Sequence, residues 1–427
     1  MLNKLIDRAI NSTGEWNAQF FRELRGRLNP KNFTLTLLGS FAAQVFLMMI
    51  FFTKLPIQPT PETKNRTQYY CLTLKEGCKL DQWGQVLTNW PHWWTDILIA
   101  MSWSISTILV VGGLYFLTSD LRREEIRGTL DFVRLSPQSA ASVFIGKLLG
   151  VPILIYLAVA SILPLQLIAG SQSFGVVNIL VFDGLWLAIA GLFYLVGMLL
   201  VSVTPVIPIA IALLAWWSQS LVGIGMQYLL SITEARNILD RPAISDFPTW
   251  LYLPVFSSVT SAMIFAIFSC GLIAYAVWLM LCRHYLNPND TLISKQQSYQ
   301  FNVVLQVWLM GWALPLSLAT PHITQDILGF ISSVQFIFAF ILLSTIIPHR
   351  DVLQEWCRQT DLHSSKGLPR WWPDLIWDDR SPAVVALTIN LILAVAIWVL
   401  FGLMRSATLS TLSVSGVMLS EIGRAHV

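Results

Sequence analysis

Runs of twenty or more apolar residues recur along this chain. The first, "FTLTLLGSFAAQVFLMMIFFT", fills 33–53. Twenty residues of helix cover the ~30 Å hydrocarbon core of a bilayer. Within that core a backbone must satisfy its own hydrogen bonds, and runs this long and uniformly apolar do so as helices rather than barrel strands. Composition agrees. Only 12% of the 427 residues are charged and mean hydropathy is +0.62, against about a quarter charged in a soluble domain. The predicted fold class is an all-α polytopic membrane protein.

Nine spans are predicted, near 33–53, 95–118, 148–170, 178–203, 205–230, 254–282, 302–321, 328–348 and 382–404. With the N-terminus in the cytoplasm, segments 1–32, 119–147, 283–301 and 349–381 lie inside and hold 18 of the 27 Lys and Arg residues. Of the rest, five fall in the 54–93 loop. The positive-inside rule therefore favours this orientation. Aromatic residues in "NWPHWW" (89–94), with Trp250 and Tyr252, are expected to anchor span ends at the headgroups.

The N-terminus lacks the apolar centre and cleavage site of a signal peptide. Net charge is only +3, and no basic block suggests nucleic acid as a partner. In the outer loop, Cys71 and Cys78 are candidates for a disulfide in an oxidising compartment, and "NRT" (65–67) matches a glycosylation sequon. The final residues, "EIGRAHV" (421–427), back-translate into GAG ATC GGA AGA GCA CAC GTC, which resembles a sequencing adapter. They are expected to be a non-native tail, with the natural chain continuing past about Ser420 and leaving room for a tenth span.

Motifs for chemistry are missing. There is no GxxxxGK[ST] phosphate loop, no HExxH, no GxSxG and no Cys–His ligand set. No catalytic residue, metal site or cofactor is expected in this chain, and the reading is not that of an enzyme. Ion-coupled transporters carry ionisable groups deep in the membrane, whereas Asp96 and Asp183 are placed near outer span ends. Gln166, Gln219, Gln227 and Asn390 are expected to hydrogen-bond between helices.

The stretch "DLRREEIRGTLDFVR" carries eight ionisable side chains between Asp120 and Arg134. Wound as a helix, 121–134 puts Arg123, Glu124, Arg127, Asp131 and Arg134 on one arc. Leu121, Ile126, Leu130, Phe132 and Val133 spread over the other. Arg127 and Asp131 stand at i,i+4 and can pair, while Gly128 weakens the middle by ~1 kcal/mol and favours a bend. Ser136 can cap a second helix with Pro137 at its first position, and Lys147 can snorkel toward water. Two short amphipathic helices on the inner face are expected.

"EEIRGTLDFVRLSPQSAASVFIGKLLG" resembles the segment of ABC-2 type transporter permeases that reads, loosely, E-x-x-x-G-T-L-x-x-L-x-x-x-P with a later G-K. Glu125, Gly128, Thr129, Leu130, Pro137, Gly146 and Lys147 stand at the matching positions. "WNAQFFRELRGRLNPKNF" resembles the family's amphipathic lead-in helix, which carries an R-E-L-R pattern. There Trp16, Phe20, Phe21, Leu24 and Leu28 share one arc, and Gln19, Arg22, Glu23 and Arg25 face the other way, as in a helix lying in the headgroup plane.

The resemblance covers about 1–283 and implies a domain order: a cytoplasmic lead-in helix (1–32) and a six-span core (33–283) with a coupling helix at about 119–147. A cytoplasmic linker (284–301) and at least three further spans (302–420) follow, with an inner loop at 349–381. This appendage departs from the six-span family unit. The implied function is the permease subunit of an ATP-binding-cassette exporter in a bacterial inner membrane. ATP is used by a separate ATPase subunit, and the chain pairs as a homodimer or with another permease. Arg22, Glu23, Arg25, Glu124, Glu125, Arg127, Gly128, Thr129 and Asp131 are the expected ATPase-coupling residues. The alternative is a non-transporting membrane scaffold of an ATPase-linked assembly or motility complex. No residue identifies the cargo.

Overall fold

The computed structural model describes residues 14, 16–56, 70–74, 77–79, 81–82, 85–204, 206–220, 249–315, 321–348, 350–364 and 375–424. Side chains are described for most but not all of these. The sequon, Gln227 and residues 425–427 lie outside the described residues, as do the side chains of Cys78 and Asp131.

The protein is an all-α polytopic membrane protein. Among the described residues, seven helices are long and apolar enough to span a bilayer. The fifth and seventh expected spans are not among them. For the fifth, helix is described only over 208–220. For the seventh, helix is described over Lys295–Ala313, and residues 316–320 of the expected span lie outside the described residues. Two compact units divide the chain, Met1–Leu239 with Val259–Cys282, and Asp240–Ser258 with Arg283–Val427.

The first unit begins with α1 (Ala18–Arg27), capped where the Asn17 side chain accepts from Phe20 N. Next comes α2 (Pro30–Thr53), whose proline suits a first turn that needs no donor. A two-residue hairpin, β1 (Thr73–Leu74) and β2 (Gly77–Cys78), lies in the loop beyond. Cys71 is disulfide-bonded, whereas Cys270 and Cys282 are free.

Helix then runs unbroken from Trp90 to Ile126 through α3 (Trp90–Thr107), a π-helical turn at Ile108–Gly112, and α4 (Gly113–Ile126). Those 37 residues extend ~55 Å, far more than the ~30 Å of hydrocarbon, so the charged end of α4 projects beyond it. Trp93 corrects the anchoring expectation: it is buried and donates to Phe51 O at 3.0 Å, tying α3 to the end of α2.

Gly128, at φ +67, ends this helix, because only glycine adopts that backbone without strain. A short α5 (Thr129–Arg134) follows, then α6 (Ala140–Gly150). The cap of α6 is Ser139, which accepts from Ser142 N, and not the expected Ser136. Ser136 instead donates to Val133 O at 2.6 Å and closes α5. The unit is completed by α7 (Ile153–Ser171), α8 (Val176–Val203), α9 (208–220) and α10 (Val259–Leu286).

The second unit holds α11 (Lys295–Ala313), α12 (Pro321–Ile346), α13 (Arg350–Ser364) and α14 (Ala383–Arg424). A capping box of Ser294 and Gln297 starts α11. Its polar face is satisfied internally: Asn302 donates to Asn390 O at 2.7 Å, Trp398 to Gln306 at 2.8 Å, and Asn390 to Ser298 at 3.0 Å. Asn390 thus has the helix-to-helix role expected of it. Trp250 is part-buried and donates to Trp308 O at 2.9 Å.

Candidate functional site

Two glycines position the candidate site. On α6, Gly146 and Gly150 stand four residues apart on one face, and α1 lies against them. A Cβ on Gly146 would come within 2.7 Å of Phe20 N, and one on Gly150 within 2.5 Å of Glu23 Cβ. This is close helix approach through small residues at i,i+4. Asn17 Nδ2 donates to Ser142 O at 2.8 Å and fixes the register of the crossing.

That crossing carries Gln19 and Glu23 inward, which corrects the orientation expected for the lead-in helix. Both are buried, while Trp16 is exposed. The reason is electrostatic. Lys147, on the same face of α6, is 1% exposed and does not snorkel. Its Nζ lies 2.7 Å from Glu124 Oε2, 3.0 Å from Asp120 Oδ2 and 3.9 Å from Glu23 Oε1. A buried ammonium needs compensating anions, and α1 and α4 supply them.

Two arginines close the arrangement. Arg27 reaches Glu23 Oε2 at 3.3 Å and also bonds Asp120. Arg22 reaches Glu124 Oε1 at 2.7 Å and Glu23 Oε1 at 3.4 Å. Three carboxylates and three cations thus alternate across α1, α4 and α6 in a neutral clasp. Carboxylate oxygens of Glu23, Asp120 and Glu124 lie within 4.8 Å of one another, a spacing that could hold a metal ion. Lys147 and the two arginines already neutralise them, so a divalent ion would add two charges to a balanced set. These residues do not fit a metal centre.

No family model, curated protein or solved structure matches this chain.

The expected coupling residues therefore divide into two sets. Glu23 and Glu124 are turned into the clasp, with Arg22 on its rim. Glu125 pairs locally with Arg122 at 2.7 Å, and Arg25 lies 6.0 Å above the Phe21 ring. Arg127, Gly128 and Thr129 are exposed at the turn, where Thr129 Oγ1 donates to Glu124 O at 3.2 Å. The helical break at Gly128 separates Arg127 from Asp131, so the i,i+4 spacing expected for them is not on one continuous helix.

The apolar residues of this stretch divide as well. Leu121, Leu130 and Val133 are buried, but Ile126, Phe132 and Leu135 are 71%, 78% and 86% exposed. These three, within ten residues of one another in sequence and beside the exposed Arg127, form the apolar knob of this stretch. Sequence reasoning missed Asp120 and Gly150. Their signals were present: Asp120 stands four residues before Glu124, and Gly150 four after Gly146.

Proposed function

We propose that this chain is the membrane-spanning permease subunit of an ABC-2 type ATP-binding-cassette exporter, worked by a separate ATPase subunit. The observation that supports this best is the clasp with the exposed knob beside it. A partner gripping Ile126, Phe132 and Leu135 would push on the end of α4. The clasp would pass that displacement to α1 and α6, and so to the spans that follow them.

On this reading the chain does no chemistry. ATP binds and is hydrolysed in the partner, which shifts the permease only through contacts that differ between its two states. Arg25 and Arg127 are exposed charges and Glu125 a half-buried one for the rim of that contact, while Glu23, Asp120, Glu124 and Lys147 transmit. The N-terminus is cytoplasmic, the location is an inner membrane, and a second permease copy or relative completes the pathway.

The test is ATP turnover by the co-purified ATPase reconstituted in vesicles with the full chain. Phe132→Ser with Leu135→Ser should weaken the association by at least ~10-fold, as for loss of a buried interface anchor. Unchanged turnover and co-purification would sink the reading.

A further inference from the structure

Asp183 is part-buried between α8 and α7. It is the eighth residue of α8, ~10 Å along the helix, and its Oδ1 accepts from Gln166 Nε2 at 2.9 Å. Gln166, on α7, is 0% exposed, and the same amide nitrogen reaches Ser102 Oγ of α3 at 3.4 Å. Two oxygens in this cluster are buried without a partner among the described residues, Asp183 Oδ2 and Gln166 Oε1. As a carboxylate and an amide, both are acceptors only. Each orphaned acceptor costs desolvation free energy that nothing in the cluster returns.

Among the described residues, no charged group pairs with Asp183. The cations of the helices packed around it, His92 on α3 and Arg283 and His284 on α10, sit at helix ends. Among other titratable groups, Asp96 on α3 accepts from Tyr70 at 2.8 Å, and Tyr156 of α7 donates to Leu148 O at 2.9 Å. Tyr194 of α8 donates to Leu109 O, and the Cys270 thiol of α10 is free. A bare carboxylate in such surroundings is strongly disfavoured.

We propose that Asp183 and Gln166 form a proton-binding site. A proton taken from water onto Asp183 Oδ2 makes a neutral carboxylic acid. Its O–H donates to Gln166 Oε1 while Gln166 Nε2 donates to Asp183 Oδ1, so one proton satisfies both orphaned oxygens. A hard metal ion would ask for about six oxygens, and the cluster offers four. Proton release follows when α7 and α8 part enough to admit water. The proposal rests on the helix bundle alone and is independent of the transporter reading.

The experiment is infrared spectroscopy of the full chain in lipid nanodiscs at neutral pH. A protonated-carboxyl C=O band is expected that shifts in D2O and is lost entirely in Asp183→Asn. Gln166→Leu, which removes the hydrogen-bonding amide, should keep the band and move its frequency. Asp183→Asn should fold and melt like the parent, because an amide mimics the neutral acid. Absence of the band in the parent chain, its persistence in Asp183→Asn, or failure of Asp183→Asn to fold would each overturn the site. So would a melting temperature raised by sodium chloride and not by choline chloride.

Discussion

Lys147 and Glu124 pair at 2.7 Å between two helices that the Gly128 turn, α5 and the loop after it hold apart in sequence. The pair shows how a chain this apolar uses charge: the ions join three helices together before any face water. Removing Lys147 would leave three carboxylates facing one another with only the arginines on the rim. Lys147→Met should therefore cost ~3–5 kcal/mol, read as a lower melting temperature in detergent. Arg22→Ala, whose side chain is half exposed, should cost no more than ~1 kcal/mol. Equal losses from the two variants would contradict the central place given to Lys147.

The clasp depends on the glycine face beneath it. Gly146→Val would drive a side chain into the Phe20 backbone and lift α1 from α6. A short bifunctional reagent should then join cysteines placed at Asn17 and Ser142 in the parent background and fail to join them in Gly146→Val. Undiminished joining would show that the helices approach for some other reason.

Much of this was legible in the residues, and the failures have physical causes. Long apolar runs revealed the spans, and Gly128 revealed the break between α4 and α5. The lead-in helix was misread at Gln19 and Glu23, while Leu24 is buried and Arg22 and Arg25 are exposed as expected. A polar arc was assumed to face water, but Gln19 and Glu23 face a buried lysine instead. No pattern within α1 could reveal this, because their partners, Asp120 and Glu124 of α4 and Lys147 of α6, are distant in sequence. The same blindness hid Asp183. Its place near the start of an apolar run said nothing of its partner, Gln166 on the preceding helix. Within α11, no pattern could reveal that Lys295, Asn302 and Gln306 find partners on α14 and the segment before it.

Lys295 makes a prediction about pH. Its Nζ donates to Leu375 O at 2.9 Å, to Pro382 O at 3.3 Å and to Ser381 Oγ. Burial pushes its pKa below the ordinary 10.5, with Asp379 and Asp378 pulling partly back. The folded chain therefore holds this proton less tightly than the unfolded chain, and its contribution to stability rises with pH between the folded value and about 10.5. Melting temperature followed into alkaline solution should show that rise in the parent and lack it in Lys295→Met. The variant should also melt lower at neutral pH, because the Leu375 and Pro382 carbonyls lose their donor. Identical alkaline slopes would remove Lys295 as the cause.

The most direct test of the account as a whole is a photo-reactive residue at position 132, used in intact cells and then in native membranes. The account expects it to be shielded from a membrane-impermeant reagent added outside, and to cross-link to an ATP-binding-cassette ATPase, with the yield changing when nucleotide is trapped. Labelling from outside, or cross-links to lipid alone with no ATPase captured in any nucleotide state, would contradict it.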